Sequence, residues 1–193
     1  MYAGYITINI SSPNTEGLRN FHDREELEKL LTGLNKIKKN KKIAKPIGIK
    51  LSPDINHEDI SVIVELVNKH EIQGIIVSNT TDKNRENLSD FKKNESGGLS
   101  GQPLKDISTN LIKKFYKETK GKINIIGVGG VDSGQSAFEK ITAGADAVQL
   151  YTGMVYKGPG IVKIIKKELI SILKKENLKN ICEAVGINTW PVI

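Results

Sequence analysis

Short β-branched runs alternate with longer amphipathic stretches five times along the chain. This alternation constrains the fold more than any other feature. Parallel neighbouring strands need long crossover connections, and a helix is the usual one. Tyr5–Ile10 reads as the first strand, with a helix from about Asp23, where Asp23 and Glu26 have the spacing of a capping box. Pro46–Leu51 is the second, stopped by Ser52-Pro53 and followed by a helix from about Glu58 to His70. Gly74–Ser78 is the third; a long polar loop containing Gly97-Gly98-Leu99-Ser100-Gly101 leads to a helix over about 105–119. Ile123–Val128 is the fourth, with a helix beginning near Ser133. Ala147–Leu150 is the fifth, followed by a helix from about 160 and a short one over 177–185. Two architectures satisfy this order: a doubly wound open sheet and part of a (β/α)8 barrel.

Composition narrows the function classes. The 193 residues are 38% hydrophobic, enough for a real core, and contain one cysteine, Cys182. A lone cysteine excludes a disulfide scaffold and a multi-cysteine metal site, and agrees with a reducing compartment. His22, His57 and His70 lack ligand spacing, so no metal is expected. No apolar run reaches the roughly 18 residues of a spanning helix, and Met1–Tyr5 lacks the pattern of a signal peptide. The expectation is a cytoplasmic chain. The net charge of +7 is concentrated in Lys36–Lys45 and in the helical stretch Lys163–Lys175. Neither holds aromatic residues for base stacking, and the second places its lysines opposite Ile161, Ile165, Leu169 and Ile172. These are solvated faces, and no nucleic-acid partner is expected.

In both candidate architectures, functional residues gather just past the carboxyl ends of strands. Asn9, Ser11, Ser12, Pro13, Asn14 and Thr15 follow the first strand, and Lys50 ends the second. Ser78, Asn79, Thr80 and Thr81 follow the third; Gly127, Gly129 and Gly130 end the fourth; Tyr151, Thr152 and Gly153 follow the fifth. Every strand end carries a polar or glycine cluster.

Each cluster suggests a chemistry beside an ordinary structural role. Lys50 closes an apolar strand, so its ammonium either faces an anion or cofactor ring, or snorkels to a rim. Gly129-Gly130 and the Tyr151–Gly153 turn suit a phosphate held on backbone N–H groups, though any strand-to-helix turn uses glycine. Gly127-x-Gly129 is not a dinucleotide fingerprint, because its third glycine position is Asp132. Asn9, Asn14 and Asn79 donate and accept, which suits a planar ring with alternating C=O and N–H groups. Asn14 and Asn79 also suit plain turns. Ser12 has no histidine or carboxylate near it in sequence to act as its base.

The segment Asn9-Ile10-Ser11-Ser12-Pro13-Asn14-Thr15, with Gly17-Leu18-Arg19, resembles the active-site segment of class 2, quinone-dependent dihydroorotate dehydrogenases. The resemblance continues through Ile49–Asp54, Ser78–Thr81, Gly97–Leu104, Ile126–Gly130 and Val148–Thr152, in the family's order along essentially the whole chain. It implies an α/β fold of the (β/α)8 TIM-barrel family, with residues 1–193 forming the C-terminal part of an FMN-binding barrel. The implied activity is oxidation of dihydroorotate to orotate in de novo pyrimidine (UMP) biosynthesis, with electrons passed to quinone. Ser12 takes the place of the base that removes a ring C–H proton while hydride leaves the adjacent carbon for the flavin. Asn9, Asn14, Asn79 and Thr80 correspond to groups binding the substrate's ring and carboxylate, and Asn9 also approaches the flavin. Lys50 and Ser78 correspond to flavin contacts; many relatives carry threonine where Ser78 stands, which keeps the hydroxyl. Gly101, Gly130, Tyr151 and Thr152 correspond to the ribityl and phosphate subsite. A related branch that reduces uracil-like rings is cysteine-based, which Ser12 argues against.

The resemblance also implies a shortfall. A (β/α)8 barrel typically takes roughly 250 residues, and the five strand–helix units here match the last five. The front portion would carry three strands, a substrate-contacting lysine and, in class 2 proteins, helices that form a quinone tunnel and rest on the inner membrane. An open arc exposes strand edges. The expectation is a chain that folds poorly alone, oligomerises, or needs a complementary N-terminal fragment. Alternatives are an inactive remnant and a flavin- or phosphate-binding interaction module without turnover.

Overall fold

The computed structural model describes residues 2–86 and 88–189. Five strands form one sheet: β1 (Ile6–Asn9), β2 (Ile47–Leu51), β3 (Gly74–Val77), β4 (Asn124–Val128) and β5 (Ala147–Gln149). All neighbours are parallel and the spatial order is β1-β2-β3-β4-β5. A doubly wound sheet reverses its order at a switch point. This sheet never reverses, so it is an arc of a barrel.

The helices α1 (Arg24–Asn40), α2 (His57–Lys69), α3 (Lys105–Thr119), α4 (Gly134–Thr142), α5 (Thr152–Lys157) and α6 (Ile161–Lys175) follow the strands in turn. Alternation along each strand sorts side chains onto two faces. The outer face, with Ile49, Leu51, Ile75, Val77 and Ile125, packs under Leu27 and Leu31 of α1, Ile63 and Leu66 of α2, and Ile112 and Phe115 of α3. These side chains are almost wholly buried, and truncating Phe115 to alanine would cost about 3–5 kcal/mol. Val131, Ala137, Ile161 and Ile165 form a second cluster between α4 and α6. The register then places Asn9, Lys50, Ile76, Ile126 and Ala147 in one row on the inner face. Tyr5, just before β1, and Gln149, the last residue of β5, come from opposite edges of the sheet and meet across that face: Gln149 Nε2 donates to the Tyr5 hydroxyl at 2.9 Å.

Two local expectations change. Asp23 caps α1 by position but its side chain makes no capping hydrogen bond. The reciprocal box occurs instead at α4, where Ser133 Oγ accepts from Ser136 N at 3.1 Å and Ser136 Oγ accepts from Ser133 N at 3.0 Å. The stretch 177–185 holds a single 3-10 turn at Ile181–Ala184, capped by Asn180, whose Oδ1 accepts from Cys182 N at 2.9 Å. The lysines Lys163, Lys166, Lys167, Lys174 and Lys175 of α6 are exposed, as a solvated face requires. Among the described residues, no helix is long and apolar enough to cross a membrane.

Candidate functional site

The carboxyl ends of β2 to β5 and the loops beyond them enclose a cavity of about 960 Å³. Lys50 enters it from β2, and Ser78, Asn79 and Thr80 from the turn after β3. Gly101 and Gln102 line it ahead of α3, Gly129 and Gly130 follow β4, and Tyr151 and Thr152 follow β5. Leu99, Leu104, Val128, Val131 and Leu150 supply apolar wall. A mostly apolar concavity with a few convergent polar groups is the general form of a cofactor site.

Two lysines line this cavity, and Lys50 is the one that no carboxylate of the described residues pairs with. Burial pushes its ammonium below the ordinary lysine range. Among the described residues no carboxylate lies within ion-pairing distance of it. Asn9 stands beside Lys50 in register on β1. Asn79 Nδ2 donates to Asn9 Oδ1 at 3.3 Å and to Ser11 Oγ at 3.0 Å, while Ser11 Oγ donates to Asn9 Oδ1 at 2.8 Å. Asn79 Oδ1 in turn accepts from Thr80 N at 2.8 Å. Asn9, Ser11, Asn79 and Thr80 therefore form one polar network flanking the lysine. Ser78, almost wholly buried, donates from Oγ to Asn79 O at 3.0 Å and fixes the turn.

The wall opposite is built by close backbone approach. Gly130 has φ +69, and a Cβ there would lie 2.5 Å from Lys105 Cβ. Gly101 has φ +80 and packs against Thr152, whose Oγ1 donates to Ser100 Oγ at 2.9 Å. At the rim Lys157 pairs with Asp132 at 3.3 Å.

Ser12 and Asn14 sit apart from these walls, in the loop after β1. Ser12 is half-buried, and its Oγ accepts from Asn14 N at 3.2 Å. Asn14 is exposed and lines a shallower depression of about 350 Å³ with Pro13, Asp82 and Arg85. This depression and the cavity are neighbours through Gly98, where a Cβ would meet both Thr80 and Pro13.

Sequence reasoning missed two supports of these loops. Arg19 pairs with Asp54 at 3.2 Å and with Asp82 at 2.9 Å, and Thr81 Oγ1 donates to Asp54 Oδ1 at 2.6 Å. This ties the loops after β1, β2 and β3 together. His22, pushed below its ordinary value mainly by burial, uses both ring nitrogens: Nδ1 lies 2.8 Å from Arg19 O, and Nε2 accepts from Ser52 N at 3.2 Å. Only the Arg19 and Asp54 charges just past strand ends could have signalled the first.

Comparison with known proteins agrees with the barrel-arc fold. The family described as dihydroorotate dehydrogenase matches residues 1–173. The dihydroorotate dehydrogenase (quinone) of Trichodesmium erythraeum is 45% identical over 191 residues, covering 95% of this chain and 50% of that protein. The mitochondrial dihydroorotate dehydrogenase (quinone) of Mus musculus is 42% identical over 190 residues, covering 96% of this chain and 48% of that protein. The ligand-free crystal structure of DHODH from Eimeria tenella superposes with a TM-score of 0.92 at 35% identity, covering 98% of this chain and 56% of that one. The complex of the Eimeria tenella protein with ferulenol gives the same TM-score, 0.92, at 34% identity. The chain spans about half the length of the curated relatives it matches.

Proposed function

The chain belongs to the dihydroorotate dehydrogenase family, and on that premise we propose that it carries the FMN-binding and dihydroorotate-oxidising face of a quinone-linked dihydroorotate dehydrogenase. The observation that carries this reading is Lys50: a desolvated ammonium without a carboxylate partner among the described residues, set in a cavity of about 960 Å³ beside the Asn9–Asn79 network. Such a cation calls for an electron-rich or anionic occupant. The apolar walls suit a flat ring, and the close-packed Gly101 and Gly130 turns leave backbone facing the cavity for a phosphate-bearing tail. The residues present fit FMN.

When bound, FMN would supply the two-electron acceptor for the reaction. Lys50 Nζ would stabilise negative charge in the ring, with Ser78 and Asn9 as further contacts. Gly101, Gly130, Tyr151 and Thr152 would hold the ribityl chain and phosphate. Asn9, Asn14, Asn79 and Thr80 would orient the ring and carboxylate of dihydroorotate, drawing on several strand ends at once. Ser12 Oγ would take up the ring proton as its own hydroxyl proton passes to solvent, which reaches this half-buried side chain. The N–H that Asn14 donates to this oxygen favours negative charge on it, which a weak hydroxyl base needs. The edges of β1 and β5 are open to further strands, as a complementary N-terminal fragment would require. Quinone as final acceptor and peripheral attachment to the inner membrane belong to that fuller assembly.

A second reading, flavin binding without turnover, is favoured by Ser12 lying outside the cavity walls. Both readings need the flavin. Titration of the chain with FMN, followed by flavin fluorescence, should give saturable quenching that Lys50→Met weakens about tenfold, the scale of one hydrogen-bonded charge. Absence of saturable binding would remove the proposal.

A further inference from the structure

Lys140 on α4 is fully buried, with 0% of its surface exposed. Its Nζ donates to Lys105 O at 3.2 Å, to Ser108 Oγ at 2.5 Å and to Thr109 Oγ1 at 3.0 Å. All three N–H groups are thereby used, and all three acceptors are neutral oxygens in the first turn of α3. The nearest carboxylate in sequence, Glu139, is turned to Lys105 Nζ at 3.2 Å. A buried ammonium held only by neutral groups carries a desolvation cost that an anion held nearby would offset.

What lies in front of it is the glycine wall of the cavity. A Cβ on Gly127 would fall 3.2 Å from Lys140 Cδ, and one on Gly129 would fall 2.9 Å from Ser108 Oγ. Gly130 packs directly on Lys105, the residue whose carbonyl Lys140 binds. The ammonium thus sits one residue layer behind Gly129 and Gly130, both of which line the cavity. We propose that Lys140 is a positioning residue for the phosphate end of the cofactor, holding the first turn of α3 against the Gly129-Gly130 turn and placing a fixed positive charge behind it. This rests on the FMN reading above.

Burial lowers the Lys140 pKa to about 8. The charged groups facing it are Lys105 and Asp106 from α3 and Glu139 from α4. The positive charge behind the wall therefore fades as pH passes about 8.

The test compares FMN with riboflavin, which has the same ring and ribityl chain but no phosphate. Both are titrated into the wild-type chain and into Lys140→Met by fluorescence quenching. Lys140→Met should weaken FMN about tenfold and leave riboflavin within about twofold. In the wild type, the preference for FMN over riboflavin should shrink as pH rises through about 8. An FMN preference that survives both the substitution and the pH change would overturn the role of Lys140 alone. Weak binding of both flavins by the wild type would instead count against the cofactor reading. Amide hydrogen exchange over residues 101–109 then decides the positioning: faster exchange in Lys140→Met supports it, and unchanged exchange overturns it.

Discussion

Asn79, just past β3, donates its side-chain amide to Asn9 at the end of β1, 70 residues earlier, beside Lys50, the next-to-last residue of β2. The bond is 3.3 Å long and is reinforced through Ser11, which Asn79 meets at 3.0 Å. Two amides locked to each other present their remaining donors and acceptors in fixed directions, which is the preorganisation that recognition of a flat polar ring requires.

Asn79→Ala removes that lock and leaves Ser11 and Asn9 to re-pair alone. The FMN-loaded variant should bind orotate about tenfold more weakly, while its FMN affinity changes little. Orotate titration, followed by the perturbation of the flavin spectrum, checks this; equal orotate affinity would mean that Asn79 only shapes the turn.

Gly130→Ala strains a φ of +69 and drives a methyl to within 2.5 Å of Lys105 Cβ and 2.8 Å of its Cα. The chain should lose about 2–3 kcal/mol of stability. The denaturant midpoint should fall at constant slope, and FMN should bind more weakly because the wall moves with Lys105. A midpoint like that of the wild type would show that the turn relaxes without cost.

His22 is held below its ordinary value of 6.5 by burial first and by the nearby Arg19 charge second, against the raising effect of its bond to the Arg19 carbonyl. The unfolded chain therefore takes up a proton before the folded one does. The stability that neutral His22 contributes is fully present above about pH 7 and declines as pH falls through the ordinary value toward the lower folded one. Urea midpoints measured from about pH 7.5 to about pH 5.5 should drop for the wild type. His22→Gln should start less stable and show a flatter slope over the same range.

Much of this architecture was legible in the chain. Runs such as Ile75-Ile76-Val77 and Ile123–Ile126 declare buried strands, and their ends fall within a residue or two of where periodicity puts them. The strand-end rule also found most of the cavity, from Lys50 to Thr152. It did not find the separation of Ser12 and Asn14 from that cavity, because side-chain direction in a loop depends on turn geometry that residue types alone leave open. The short helix α5 was hidden by Gly153, which reads as a turn. Arg19, Asp54 and Asp82 meet only after three loops are brought together. Lys140 carried a usable signal: it lies three residues after Ala137 and four after Ser136, on the buried face of α4, where a lysine is out of place.

Anaerobic addition of dihydroorotate to the FMN-loaded chain, with the flavin absorbance followed in time, tests the central claim most directly. The oxidised band should bleach in the wild type, and in Ser12→Ala it should bleach about 100-fold or more slowly with FMN still bound. A flavin that stays oxidised in the wild type would contradict substrate oxidation by this chain, and an unchanged rate in Ser12→Ala would contradict the proton-accepting role of Ser12.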